Sequence, residues 1–492
     1  MFIRSRALAS VALATMVAGF AAPAWAESLQ EALGLAYRTN PTLLAQRASQ
    51  RSLDESIVQA RAGLRPQVDV SVGASYSYVD VRGTGNSDST SASANVGLSQ
   101  TIYSGGRVAH GITAAEANIL AGRENLRDVE QQVLASVIQA YADVLRDMEI
   151  LQVRQNNITV LQRQLDESSA RFEVGEITRT DVAQSEARLA QSDADLAYAR
   201  AQLSVSRAAY AAVVGQAPSD LSPLPVLPGV PTDFDVALNV ALAENPTVRA
   251  ADYALQAAEA RVAAARAEYM PSARLTASYG GTSNQVRGFD VGENTGFQAG
   301  ATVSVPLFTG GLNRSRVSQA LEQANVAQIT GEGRRRQVLQ SVSSNYAQVI
   351  SASAALQAGE EAVRAASVAA EGVRQEAQVG LRTTLDVLNQ ELELRSAQVA
   401  LASARRNEYV AKAQLLAAMG RLEGQDLNPA IDVYDASANY ERVRDRGALP
   451  WDGVIEALDR IAAPPVVPAN DAEDAPIDQQ LKSEIIRTAP GQ

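Results

Sequence analysis

The stretch Val174-Gly175-Glu176-Ile177-Thr178-Arg179-Thr180-Asp181 organises this chain, because it returns as Val379-Gly380-Leu381-Arg382-Thr383-Thr384-Leu385-Asp386. In each copy a glycine interrupts a long helical pattern, and the sequence T-x-x-D starts a new one a few residues later. Thr178 and Thr383 are therefore predicted to cap helices, with Asp181 and Asp386 at the third helical position of a capping box. Each copy indicates the tip of a hairpin made from two long helices.

The two tips belong to a duplication that runs through most of the chain. Corresponding motifs lie 205 residues apart, as do Asn40-Pro41-Thr42 and Asn245-Pro246-Thr247. Self-similarity over this length predicts two structurally equivalent halves. They are residues 27–215 and residues 233–420, joined by a Pro-rich linker over residues 216–232.

Composition excludes several classes of function. The 492 residues include no Cys and one His, which removes disulfide frameworks, thiolate metal sites and the usual histidine-based acid–base chemistry. We therefore expect no enzyme activity, no catalytic residue, no metal site and no cofactor. The formal net charge is −12, so no basic surface argues for nucleic acid as a partner.

Residues 1–26 have the pattern of a secretory signal peptide. Arg4 and Arg6 precede an apolar run over residues 7–20, and Ala24-Trp25-Ala26 forms an A-x-A cleavage site. The mature chain is expected to begin at Glu27. Because no later run of about 18 apolar residues occurs, any membrane span must be built from strands.

Two segments alternate apolar with small polar residues, which is the period of a β-strand. They cover residues 67–103 and 272–308, and each holds two strands of about ten residues. An apolar face opposite a face of Ser, Gly, Thr and Asn is typical of a transmembrane β-barrel. A half-buried hairpin of a soluble protein fits the same alternation, and the signal peptide and flanking helices favour the membrane interpretation.

Between the strands and the tips run two very long helical patterns, over residues 106–174 and 312–379. From Val108 to Ala140 apolar or small residues alternate steps of four and three, a 3.5-residue repeat that predicts coiled-coil packing. At about 1.5 Å per residue, each helix would extend on the order of 100 Å. The returning helices are about half as long, and we expect the helix that precedes each strand pair to stack end to end on them.

After Gly420 the periodicity is lost. We expect residues 421–462 to form an equatorial segment wrapped around the helical stalk. Residues 463–492 are rich in Pro, Ala and Asp, and this composition predicts a disordered tail.

Four membrane strands per chain cannot close a barrel, and an open sheet edge in lipid leaves backbone groups unsatisfied at several kcal/mol each. Closure must therefore come from several chains. Two chains would give eight strands with a filled interior, and three would give twelve with room for a lumen. The small inward-facing residues favour three, although the sequence alone does not count subunits.

The order of these features resembles that of the TolC-type outer-membrane efflux proteins. The Asn-Pro motifs, the Gly-Gly strand exits and the tips carry the resemblance, which covers roughly residues 28–425. It implies an α+β membrane protein. Its trimeric 12-stranded β-barrel, in the outer membrane of a Gram-negative bacterium, would be continued by a long periplasmic α-helical barrel. It also implies an exit duct that works with a periplasmic adaptor and an inner-membrane pump of the resistance-nodulation-division or ABC type.

The sequence leaves two alternatives open. Such a duct serves either efflux of small molecules or type I protein secretion, and residues 440–446 resemble C-terminal stretches of the secretion branch. A coiled-coil envelope protein or adhesin without a transport lumen would explain the helices. It would not explain the paired amphipathic strands.

The resemblance also assigns roles at the tips. Asp386 and Asn389 fall on the two positions of an acidic gate, so that one of the two usual carboxylates is replaced by an amide. Asp181 and Arg382 match an ion-pair lock between neighbouring helix pairs, and Ala377 replaces the tyrosine that assists this lock. The predicted adaptor-docking surface consists of Gly175, Glu176, Ile177, Gly380 and Leu381.

Overall fold

The computed structural model of the protein describes residues 27–83, 85–283 and 294–468. The predicted signal peptide and residues 469–492 of the predicted tail lie outside the described residues. The first half contains α1 (Leu29–Thr39), α2 (Pro41–Arg61), β1 (Gln67–Val81), β2 (Gly85–Tyr103), α3 (Arg107–Glu173) and α4 (Arg179–Val214). The second half contains α5 (Phe234–Glu244), α6 (Pro246–Ala267), β3 (Ser272–Ser283), β4 (Thr295–Ser304), α7 (Leu312–Gln378) and α8 (Thr384–Met419). Three short helices follow: α9 (Gly424–Leu427), α10 (Ser437–Val443) and α11 (Asp452–Asp459).

The four strands form one antiparallel sheet in the order β1-β2-β3-β4. β1 and β2 are longer than predicted, with 15 and 19 residues, and the predicted second hairpin ends at Ser304 instead of residue 308. Pro306 lies just beyond this point and has no backbone N–H to donate to a strand ladder. Pro306 was therefore the sequence signal for the earlier end of the second hairpin.

One face of the sheet is apolar and exposed. Val70 pairs with Val96, Val96 with Tyr279 and Tyr279 with Phe297, so these side chains form one row across all four strands. All four are exposed. No helix in the described parts of the chain is long and apolar enough to cross a membrane.

α2 stacks end to end on α4, and α6 on α8, as predicted. An asparagine lies at each of these two joints. The Asn40 side chain caps the N-terminus of α2, and its Nδ2 donates to the carbonyl oxygen of Val213 at the end of α4, at 3.0 Å. Asn245 does the same for α6, donating to Ala418 in α8 at 2.8 Å. Each asparagine therefore satisfies orphan backbone groups on both sides of the joint.

The largest core lies where α1, α3 and α4 meet the linker. The predicted 3.5-residue stripe of α3 is buried or half-buried, except for the exposed Ser136. Tyr141 is fully buried, and its hydroxyl donates to the carbonyl oxygens of Glu27 and Ser222 at 2.8 and 2.7 Å. Burial raises the pKa of Tyr141 to about 12, so the hydroxyl remains a donor at physiological pH.

The C-terminal segment does not stay at one level of the helical stalk. Asn428 donates to the backbone of α1, Asn439 donates to Asp54 in α2, and the carbonyl of Ile461 accepts a hydrogen bond from Tyr103 at the end of β2. The predicted equatorial segment, residues 421–462, therefore contacts the chain from α1 to the end of β2. Residues 437–461 follow α2 lengthwise to the strands, because polar groups on α2 hold them there.

Candidate pore entrance at the helix tips

The first tip is closed by backbone geometry and one ion pair. α3 ends at Glu173, and Gly175 adopts a positive φ of 78° that suits glycine. The amide of Glu176 then donates to the carbonyl of Arg171, and the two side chains pair at 3.1 Å. Asp181 accepts hydrogen bonds from the backbone N–H and the hydroxyl of Thr178 at the start of α4, which confirms the predicted cap.

The second tip has the same backbone but a different ion pair. Gly380 also has a φ of 78°, and the amide of Leu381 donates to the carbonyl of Glu376. Arg382 then pairs with the Glu376 carboxylate at 2.8 Å. Thr383 and Asp386 form the full reciprocal capping box, as predicted. The two tips thus have similar backbones, but the arginine precedes the glutamate in the first ion pair and follows it in the second.

The predicted lock partners are not brought together within one chain. Arg382 is held by Glu376, and the Asp181 carboxylate is engaged by Thr178. The Glu376 hydrogen bond raises the pKa of Arg382, and the Thr178 hydroxyl and backbone bonds lower the pKa of Asp181. Both groups are therefore charged at neutral pH. Their pairing stays a prediction for the assembled protein.

The two predicted gate residues differ in chemistry. Hydrogen bonds from the backbone and hydroxyl of Thr383 hold the pKa of the Asp386 carboxyl below its ordinary value, which keeps it anionic. Asn389 is exposed, and its Oδ1 accepts a hydrogen bond from Arg188 of α4 at 3.3 Å. A guanidinium thus lies beside the position where an acid was expected, which further reduces the negative charge here.

Sequence reasoning missed a buried ion cluster behind this gate. Glu391 of α8 is only 3% exposed and pairs with Arg374 of α7 and with Arg395, one turn further along α8. It ties the two helices of the second hairpin together. The matching position of the first hairpin, Glu186, is exposed. The Glu-x-x-x-Arg spacing in α8 was the available signal, but a surface pair has the same spacing.

The predicted docking residues are mostly exposed. Gly175, Glu176, Gly380 and Leu381 are open to solvent, whereas Ile177 is half-buried and acts partly as a local contact between its helices. Leu381 is 74% exposed. Val174 and Val379, the last residues before the tip glycines, are exposed to a similar extent and extend the same apolar surface. Sequence reasoning missed both valines, since they continue the helical pattern.

Ala377 lines a cleft between the two hairpins. The cleft has a volume of about 80 Å³ and is bounded by Glu167 and Arg171 of α3 and by Gln378 and Val387 of the second hairpin. The missing tyrosine side chain therefore corresponds to open space.

An exposed apolar sheet and two long helical hairpins with charged side chains at their tips define an outer-membrane channel protein. The chain belongs to the outer membrane efflux protein family, whose model matches residues 32–216 and again residues 237–421. The predicted resemblance and the predicted function as an export duct of the outer membrane are confirmed.

Two relatives illustrate the similarity over most of both chains. The outer membrane efflux protein BepC of Brucella suis is 34% identical over 433 residues, covering 88% of this chain and 92% of BepC. The outer membrane protein TolC of Escherichia coli is 26% identical over 435 residues, covering 85% and 87%. The crystal structure of the open state of the Neisseria gonorrhoeae MtrE channel superposes with a TM-score of 0.68, covering 80% and 89% at 24% identity. That likeness supports the fold.

Proposed function

We propose that three copies of this chain form one duct, with a 12-stranded barrel in the outer membrane and a helical barrel in the periplasm. The observation that carries this proposal is the four-stranded sheet with an exposed apolar face, whose edge strands β1 and β4 have no further strand beside them among the residues that the structure describes. In lipid such edges must pair, and β1 of one copy can pair with β4 of the next. Two structurally equivalent halves per chain then give the helical barrel six similar hairpins.

The subunit count can be tested by disulfide cross-linking, since the chain has no Cys. Ser71→Cys in β1 is combined with Thr302→Cys in β4, or with neighbours shifted by two residues. Oxidation in membranes should give a covalent ladder that ends at three chains. Each single variant is the matched control and should give no ladder. A ladder that ends at two chains would contradict the trimer.

The helix tips form the periplasmic entrance in this proposal. Three Asp386 carboxylates would then line a narrow aqueous mouth and attract cations, while three Arg188–Asn389 contacts reduce that effect. Asp386→Asn should lower the cation selectivity of the reconstituted channel, and Asn389→Asp should raise it. Equal selectivity in both variants and the wild type would place the gate elsewhere.

The lock between Asp181 and Arg382 requires Arg382 to leave Glu376. This gives a sharper test than removal of Arg382 alone. Arg382→Ser should raise ion conductance because the lock is lost. Glu376→Gln should lower conductance, because it frees Arg382 to pair with Asp181 of the neighbouring helix pair. If Glu376→Gln raises conductance as much as Arg382→Ser, the pair within the tip is the lock.

The exposed tip surface of Gly175, Glu176, Ile177, Gly380 and Leu381 is the proposed contact for a periplasmic adaptor, which would connect the duct to an inner-membrane pump. Leu381→Glu should abolish export in cells while leaving the conductance of the purified trimer unchanged. Exposed Val368 lies on α7 before the tip and provides a matched control, Val368→Glu. Equal loss of export in both variants would contradict a specific surface.

A measurement of transport distinguishes this proposal from an adhesin or a structural stalk. The purified protein should conduct ions in a planar bilayer, whereas a coiled-coil envelope protein should not. Deletion of the gene then identifies the cargo. Hypersensitivity to dyes, detergents and antibiotics indicates efflux of small molecules, and loss of one secreted protein indicates type I secretion.

A further inference from the structure

The inward face of the helix α11 is mainly polar and its outward face is apolar, the reverse of a helix packed on a protein core. Asp452, Glu456 and Asp459 lie on its inward face, where Asp452 pairs with Arg65 at 2.8 Å and Glu456 with Arg61 at 3.7 Å. Asp459 is fully buried and accepts hydrogen bonds at the start of α3. These polar contacts and the partly buried Ile455, which packs against the apolar cluster around Val108, hold this helix to the protein.

The outward face of α11 and its flanking residues is apolar. Trp451, Val454, Leu458 and Ile461 follow one another in steps of three, four and three, which places them on one side of a helix. All four are exposed, Val454 to 71% and Ile461 to 61%. Because this apolar helix face points away from the core of the chain, we expect it to contact a different partner.

The position of α11 relative to the sheet identifies the kind of partner. The carbonyl of Ile461 accepts a hydrogen bond from the Tyr103 hydroxyl at 3.0 Å. The register between β2 and β3 shifts between Thr101 and Tyr103, so that Tyr103 pairs with Ala273. Ala273 pairs with Val303, and Val303 shares its face of β4 with Phe297. Directly opposite residues lie on one face of a sheet, so Tyr103 belongs to the exposed apolar face. The end of the C-terminal segment thus continues the apolar face of the strands at their helical end.

From this placement we propose that α11 is an interfacial membrane anchor, with Trp451, Val454, Leu458 and Ile461 inserted into the phospholipid leaflet that faces the periplasm. The inference rests on the proposed function, in which the apolar face of the sheet contacts lipid. Trp at the headgroup level and aliphatic residues slightly deeper are typical of helices lying in a membrane interface. The exposed Arg460 lies beside them and can reach lipid phosphates.

A second copy of the chain is a less suitable occupant. α11 contacts the end of β2, which is an inner strand flanked by β1 and β3. A neighbouring chain joins at the outer edges of the sheet. Residues 469–492 are also poorly suited to pack on this apolar face, because their sequence is rich in acidic and amide residues. Lipid is the partner that the apolar face and its position favour.

Trp451 itself provides the test, because it is the single tryptophan from Glu27 onward. The processed protein is reconstituted into vesicles of phosphatidylcholine that carries bromine close to the headgroup or deep in the acyl chain. A matched reporter is Phe297→Trp in a Trp451→Phe background, which places the fluorophore on the exposed face of β4. Iodide in the buffer detects exposure to water.

We expect both reporters to lose emission to brominated lipid, Trp451 more strongly to the shallow than to the deep bromine. Val454→Ser with Leu458→Ser should shift Trp451 emission to the red and reduce this loss. If only the strand reporter is quenched by lipid, α11 is not an anchor, and iodide quenching then distinguishes water from a covering chain. If neither reporter is quenched by lipid, the membrane assignment of the sheet fails, and the anchor fails with it. An unchanged emission spectrum in the double serine variant would also overturn the proposal.

Discussion

Substitution of Asp459 by Ala should loosen the start of α3 without affecting the start of α7. One carboxylate oxygen of Asp459 accepts from the Ser104 hydroxyl at 3.1 Å and from the Ala109 amide at 3.2 Å. The other accepts from the Ser104 and Gly106 amides. Asp459 thus caps a helix that begins more than 350 residues earlier, at the junction between the sheet and the stalk.

The expected size of the effect follows from these contacts. The substitution leaves three backbone N–H groups at a buried site without their acceptor, at about 1–3 kcal/mol each. Water can enter the space left by the carboxylate, so we expect about 3 kcal/mol, the lower end of the sum. Since 1.4 kcal/mol is a factor of ten, local opening at residues 106–112 should become about 100-fold more frequent.

Hydrogen exchange measured by mass spectrometry on the reconstituted protein checks this prediction. Peptides over residues 106–112 should exchange faster, and peptides over residues 311–317, the matching turn of α7, serve as an internal control. Asp445→Ala removes a well-exposed acid from the same C-terminal segment and should change neither region. An increase below about threefold at α3, or an equal increase at α7, would refute the assigned role of Asp459.

Three further predictions concern the tips. Glu391→Gln removes the buried carboxylate shared by buried Arg395 and half-exposed Arg374. Arg374 keeps a second partner in Glu371, so we expect a loss of about 3 kcal/mol in the second hairpin, the lower end for a broken buried pair, and no such loss in exposed Glu186→Gln. Equal hydrogen exchange in the two variants would argue against the cluster. Ala377→Tyr should fill the cleft between the hairpins and lower the conductance of the trimer, and a higher conductance would show that the cleft is needed for closure. Because the folded-state pKa values of Asp181 and Asp386 lie below the ordinary 3.8, their caps stabilise the tips above that pH and are lost as pH falls through the lower folded values. Protection at the tips, measured relative to the exchange of an unstructured peptide at the same pH, should therefore fall only in acid. A loss of protection between pH 5 and 7 would contradict this assignment.

Much of the architecture could be predicted because its causes are local. Helix capping depends on residues three apart, such as Thr383 and Asp386. The coiled-coil stripe and the strand alternation depend on periods of 3.5 and two residues. Asn40 and Asn245 each cap the helix that follows directly in sequence. The stacking of that helix on α4 or α8 could be predicted from the helix lengths. The family resemblance used the order of these same local signals.

Local signals in the sequence are therefore enough to predict the two hairpins, the strand pairs, their tips and the family. Which groups meet across long separations depends on the tertiary structure. It placed Arg188 beside Asn389 and brought the C-terminal segment to the end of β2. Charge–charge and capping contacts of this kind have no sequence period, because any of several arginines or acids satisfies the same chemistry. Their partners are fixed by the packing of α2, α3 and α8, which brings one candidate within hydrogen-bond distance and leaves the others in water.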